Sequence, residues 1–231
     1  VAADGGARIV LTTADGETVA AYHAPPGDAR RGGLVMLHAI WGVTPHLRAL
    51  SDQLAEQGYD VIAPSLLDAT DAPFPVADLD PAALDARMAL GQASGWGEAA
   101  LPRVQAAIDA LAGKGPVFAA GFCYGGTVAW LAAARCPGLK AASCFYGGNI
   151  IDHLAETPKV PTILHFGKTD GMIPLDDVAA IEAAHPDLPV WLYDAGHAFV
   201  APNGRHDDSA KLALLRTLQL FQRAGGSRGE A

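Results

Sequence analysis

The chain has 231 residues, half of them apolar and 18% charged, with 26 Gly and 16 Pro. That composition excludes disordered and collagen-like classes, and a chain this long buries roughly 70% of its unfolded surface without needing disulfides or a structural metal. Lys and Arg number 16 against 25 Asp and Glu, a formal charge of -9 that repels nucleic acid and anionic membrane surfaces.

In chain order, residues 8–24 alternate apolar and polar side chains around Asp15-Gly16, the signature of a β-hairpin. Short continuous apolar runs follow at 34–37, 61–63, 117–120, 141–146, 162–166 and 190–193, as expected for parallel strands covered on both faces. Helical patterns lie between them at 47–57, 99–111, 127–135 and 176–184, with a last amphipathic helix over 208–223. Strands alternating with helices predict a mainly parallel α/β sheet with helices on both faces, whose ligands sit at the carboxyl ends of the strands. Residues 66–97 break the alternation with an Asp-, Ala- and Pro-rich excursion, helical near 81–90, that reads as a lid or binding loop. The expected organisation is one domain over 1–224 and a flexible tail over 225–231.

No apolar run approaches the about 20 residues that span a bilayer, and residues 1–8 carry Asp4 and no hydrophobic leader core. Cys123, Cys136 and Cys144 are odd in number and lack C-x-x-C spacing, against a disulfide framework or zinc knuckle. The expectation is a soluble, cytoplasmic protein in a reducing compartment, a monomer or weak homodimer with no nucleic acid or membrane partner.

The most informative segment is strand, then Gly121-Phe-Cys123-Tyr-Gly125-Gly126, then helix. This is the nucleophile elbow with Cys in place of Ser: the tight turn strains the central residue and presents its side chain at a helix N-terminus, which favours a thiolate. Asp170 follows the strand at 162–166, and His197 follows the strand at 190–193. Nucleophile, acid, histidine is the order of an α/β-hydrolase triad, here with one strand-helix-strand unit between successive members. His38 ends an apolar strand and reads either as a polar group of the site or as a strand-end histidine bonded to backbone. Trp41 and Tyr124 read as pocket or core aromatics. Cys144 reads as core, His165 as core or as a residue backing the site, Cys136 as a helix end, and His23 as lacking an acidic partner.

The elbow, the Asp170 turn, Gly196-His197-Ala-Phe199 and Ile40-Trp41-Gly42-Val43 together resemble the dienelactone hydrolase, or carboxymethylenebutenolidase, family over nearly the whole chain. The resemblance implies an α/β-hydrolase fold and a cofactor-free, metal-free enzyme that opens small lactones or esters through an acyl-cysteine. It implies Cys123 as nucleophile, His197 as base and then acid, and Asp170 as the group that orients it. The family's oxyanion hole falls on the backbone N–H groups of Ile40 and Tyr124. Its gating glutamate falls on Ala39, so Cys123 is expected to pair directly with His197. Of its two carboxylate-binding arginines, Arg87 matches the first, Ala201 stands at the second, and Arg205 is a candidate replacement. These departures keep two alternatives open: a neutral ester or thioester hydrolase, and a redox-responsive binding protein that uses Cys123.

Overall fold

The structure is a computed structural model and describes residues 5–27 and 29–226. The strands among these residues are β1 (Ala7–Thr12), β2 (Thr18–Ala24), β3 (Gly32–Leu37), β4 (Tyr59–Pro64), β5 (Val117–Phe122), β6 (Leu139–Phe145), β7 (Thr162–Gly167) and β8 (Val190–Tyr193). They form one sheet in the order β1-β2-β4-β3-β5-β6-β7-β8. The hairpin β1-β2 is antiparallel and joins β4 antiparallel, while β3 to β8 run parallel. This is the α/β-hydrolase architecture expected from the sequence.

The α-helices among the described residues are α1 (Pro45–Glu56), α2 (Leu84–Ala93), α3 (Leu101–Leu111), α4 (Tyr124–Arg135), α5 (Leu175–Ala184) and α6 (Asp207–Arg223). Helix α1 starts where Thr44 Oγ1 accepts the Leu47 N–H and Pro45 supplies a preset φ. Side-chain alternation along β5 shows that both sheet faces are covered. Phe118 stacks on Phe221 of α6 at 4.7 Å, whereas Gly121, on the opposite face, meets Ala129 of α4. Strands β3 and β5 are buried throughout, which explains their unbroken apolar sequence.

The connection from β3 through α1 leads to β4 on one side of β3, and the next parallel strand, β5, lies on the other. Such a reversal opens a crevice at the carboxyl ends of β3 and β5. The Ile40 turn and the Cys123 elbow both emerge there.

The excursion after β4 carries a 3-10 turn at Pro81–Ala83, α2, and a second 3-10 turn at Gly95–Ala100. In α2 the buried residue is Gly91, so its attachment is local and specific. A Cβ on Gly91 would lie 2.8 Å from both Ile40 and Trp96, and Trp96 takes φ 50° to reach that position. His23, expected to lack an acidic partner, meets one from a neighbouring strand: its Nε2 is 2.7 Å from Asp60 Oδ1 of β4. Of the expected tail, Gly225 and Gly226 fold back onto α6, where Gly226 N–H donates to the Phe221 carbonyl at 2.8 Å. Residues 227–231, and Val1 to Asp4 at the start of the N-terminal segment, lie outside the described residues.

Candidate active site

Cys123 sits between β5 and α4 with φ 55° and ψ −116°, a region that L side chains avoid at a cost of about 1–3 kcal/mol. Two glycines make this turn sterically possible. A Cβ on Gly121 would lie 1.8 Å from the Gly125 carbonyl oxygen, and one on Gly125 would lie 2.1 Å from that of Leu37. The Cys123 N–H donates to Phe145 O at 2.9 Å, tying the elbow to the end of β6.

Asp170 and His197 are carried to Cys123 by the turns after β7 and β8. His197 Nε2 is 3.2 Å from Cys123 Sγ, and His197 Nδ1 is 2.7 Å from Asp170 Oδ2. The Asp170 side chain is 0% exposed, and its Oδ1 accepts the N–H groups of Met172 at 2.8 Å and Ile173 at 3.2 Å. Burial opposes a charge on His197, but the hydrogen bonds and charges of Asp170 and Cys123 outweigh it and raise its pKa from 6.5 to about 10.

Cys123 and His197 open onto a cavity of about 450 Å³ between the sheet end and α2, in the size range of small-molecule sites, with Asp170 buried behind them. Ile40, Trp41, Met88, Trp96, Phe122 and Tyr146 give it apolar walls. Ala39 and Ala201 both line it, so the two departures from the family pattern fall on the cavity surface. Ile40 and Tyr124 also line it. Tyr124 opens α4, so its N–H has no intrahelical acceptor, and neither it nor the Ile40 N–H has an acceptor among the described residues.

Two candidate substrate-binding residues are placed elsewhere. Arg87 does not line the cavity: its guanidinium forks onto both oxygens of Asp68, and its Nε donates to the Ile40 carbonyl at 2.7 Å. His38 is also absent from the lining, being 0% exposed with both ring nitrogens bonded to backbone. Arg205, the candidate replacement, is held by Asp207 and the Val200 carbonyl.

Three features escaped sequence reasoning. His46 and Asp78 line the cavity, and Asp78 Oδ1 accepts the His46 N–H at 2.6 Å. Burial pushes the His46 imidazole below its usual pKa, which favours the neutral ring. Tyr146, with φ 39°, sets its ring 5.1 Å from that of His197 and forms one wall of the site. The available signal was its place before Gly147-Gly148 at a strand's carboxyl end. Among the described residues no cluster of three His, Cys, Asp or Glu side chains is arranged to hold a metal ion. No helix among them is long and apolar enough to cross a membrane.

The dienelactone hydrolase family model matches residues 19–225. A Salmonella typhimurium protein provisionally named carboxymethylenebutenolidase is 32% identical, over 96% of this chain and 89% of its own. The carboxymethylenebutenolidase of Pseudomonas putida is 30% identical, over 92% of this chain and 94% of its own. A crystal structure from Klebsiella pneumoniae, provisionally assigned as a dienelactone hydrolase, superposes with a TM-score of 0.75 at 28% identity, covering 94% of this chain and 99% of that one. The chain belongs to the dienelactone hydrolase family and is a carboxylic ester hydrolase of the α/β-hydrolase fold.

Proposed function

We propose that the chain hydrolyses small lactones or esters through a thioester on Cys123, with His197 and Asp170 completing the catalytic triad. The observation that carries this reading is the chain of contacts from Sγ to Nε2 at 3.2 Å and from Nδ1 to Asp170 at 2.7 Å, at the floor of the cavity. His197 Nε2 holds the proton taken from Cys123, and the thiolate attacks the acyl carbon. The N–H groups of Ile40 and Tyr124 hold the tetrahedral oxyanion. Collapse forms the thioester and expels an alkoxide or enolate, which takes the proton from His197. Water then attacks the thioester and gives its proton to the same nitrogen, and the thiolate departs. A thiol suits acyl groups with good leaving groups such as enol esters, because a thioester hydrolyses more readily than it forms from a poor one.

The walls of the cavity favour the uncharged-ester reading over an acid-bearing lactone. Ala201 presents a methyl group, Arg87 and Arg205 are engaged with Asp68 and Asp207, and Asp78 adds a carboxylate to the lining. An anionic substrate would meet apolar surface and a like charge there.

Steady-state hydrolysis of a neutral aryl acetate beside a carboxylate-bearing dienelactone tests both statements, with Cys123→Ala as control. The expected result is a higher kcat/KM for the neutral ester by about tenfold, the weight of roughly 1.4 kcal/mol, and loss of both activities in the control. Preference for the anionic lactone would overturn the substrate reading. Sulfenic acid on Cys123 without turnover of either compound would overturn the hydrolytic one.

A further inference from the structure

His38 is a fully buried histidine that lies one residue before the Ala39–Ile40 peptide and outside the cavity. Leu66 N–H donates to its Nε2 at 2.8 Å, so the ring proton must reside on Nδ1. That proton points to the Ala39 carbonyl, 2.6 Å from Nδ1. Burial pushes the imidazole pKa down to about 4, which keeps this one-donor, one-acceptor form at neutral pH. The Ala39 carbonyl also accepts the Gly42 N–H at 3.1 Å, where Gly42 turns at φ 87°.

The same peptide unit carries Ile40 N–H. Peptides are planar, and there is no cis bond among the described residues, so fixing the Ala39 C=O fixes the Ile40 N–H pointing the opposite way. Hydrogen bonding to a carbonyl also strengthens the N–H of its own peptide as a donor, through cooperative polarisation. The His38 ring further lies nearly parallel to Tyr124, at 6.4 Å and 25°, beside the second amide of the pair.

We infer that His38 is a positioning residue, which holds the Ala39–Ile40 peptide so that Ile40 N–H faces the oxyanion formed at Cys123. This rests on the proposed acyl-cysteine mechanism and adds to it a residue that never touches substrate. It bridges Ala39, just beyond β3, to Leu66, where the excursion leaves β4, and so ties the turn that carries Ile40 to the carboxyl ends of two neighbouring strands.

Two substitutions separate the two ring nitrogens. His38→Gln puts an acceptor near the Nε2 position and removes the donor to Ala39; His38→Asn puts an amide donor near the Nδ1 position and removes the acceptor for Leu66. Acylation of Cys123 is read from the pre-steady-state burst with a neutral aryl acetate. In parallel, alkylation by iodoacetamide reads the thiolate alone, because displacement at saturated carbon forms no oxyanion.

Removing an oxyanion donor elsewhere costs about 10²–10³ in kcat, so misaiming one should slow acylation by about tenfold or more in His38→Gln. Alkylation should stay within about twofold of wild type, substrate affinity should change little, and His38→Asn should acylate within about threefold of wild type. Equal losses in both variants, or acylation and alkylation falling together, would overturn the inference in favour of a packing role. If His38→Gln does not fold, His38→Asn decides alone: near-wild-type acylation supports the inference and a tenfold loss overturns it. A wild-type burst that His38→Gln leaves intact overturns this inference only, whereas a wild-type enzyme with no Cys123-dependent burst overturns the acyl-cysteine reading as well.

Discussion

Asp170→Asn is the substitution whose consequence the geometry specifies most closely. The carboxylate accepts three hydrogen bonds, two from the backbone N–H groups of Met172 and Ile173 on Oδ1 and one from His197 on Oδ2. An asparagine has one acceptor oxygen and one NH₂ donor. Keeping the oxygen toward the two backbone donors preserves two bonds, so the NH₂ turns toward His197 Nδ1. That nitrogen must then accept, the imidazole proton moves to Nε2, and Nε2 can no longer take a proton from Sγ. An equivalent carboxylate-to-amide exchange in a serine triad lowers kcat by about 10⁴, equal to roughly 5.4 kcal/mol of barrier. Here kcat on a neutral aryl acetate should fall by about 10³–10⁴. Cys123 alkylation should slow as well, since the thiol loses its base. A kcat within about tenfold of wild type, with Cys123→Ala inactive, would refute the assignment of Asp170 as the group that sets the histidine tautomer.

Two further consequences can be measured on the same preparations. Arg87→Met leaves Asp68 without its guanidinium and Ile40 O without its donor; breaking a buried pair costs about 3–5 kcal/mol, and the 13% and 21% exposure of these side chains reduces that to about 2–3 kcal/mol. Urea denaturation should show that loss and its partial recovery in Arg87→Met/Asp68→Asn, whereas a loss below about 0.5 kcal/mol would show that the pair is idle. The raised His197 pKa stabilises the folded state fully below its unfolded value of 6.5, and that contribution is lost as pH rises through about 10. The stability difference between wild type and His197→Gln should therefore shrink from pH 6.5 to 10, and a constant difference would contradict the charged-histidine geometry.

The fold was legible because its signals are local. Buried parallel strands demand unbroken apolar runs such as residues 34–37, and Asp15-Gly16 marks the hairpin, although the connection is longer than the two-residue turn expected, with Thr13 N–H donating to the Glu17 carbonyl and Gly16 at φ 90°. The placement of Cys123, Asp170 and His197 was legible for the same reason, since each is set by a strand's carboxyl end and the turn chemistry beside it. The direction of Arg87, and the choice between the two readings of His38, were not legible because both depend on groups remote in sequence. Asp68, on the irregular part of the excursion, captures the Arg87 guanidinium, and a single backbone N–H at Leu66 captures His38 Nε2. Nothing in the composition of residues 66–97 marks Asp68 apart from its neighbouring aspartates. The left-handed backbone at Trp96 and Tyr146 escaped notice because neither residue type favours it.

The central claim is that Cys123 becomes acylated during turnover. Intact-protein mass spectrometry on samples acid-quenched during the first turnovers of a neutral aryl acetate tests it most directly, with peptide mapping to locate the group. The account predicts one acyl group on Cys123 that disappears as substrate is exhausted, with none in Cys123→Ala. Sustained turnover with no adduct, together with activity retained in Cys123→Ala, would contradict it.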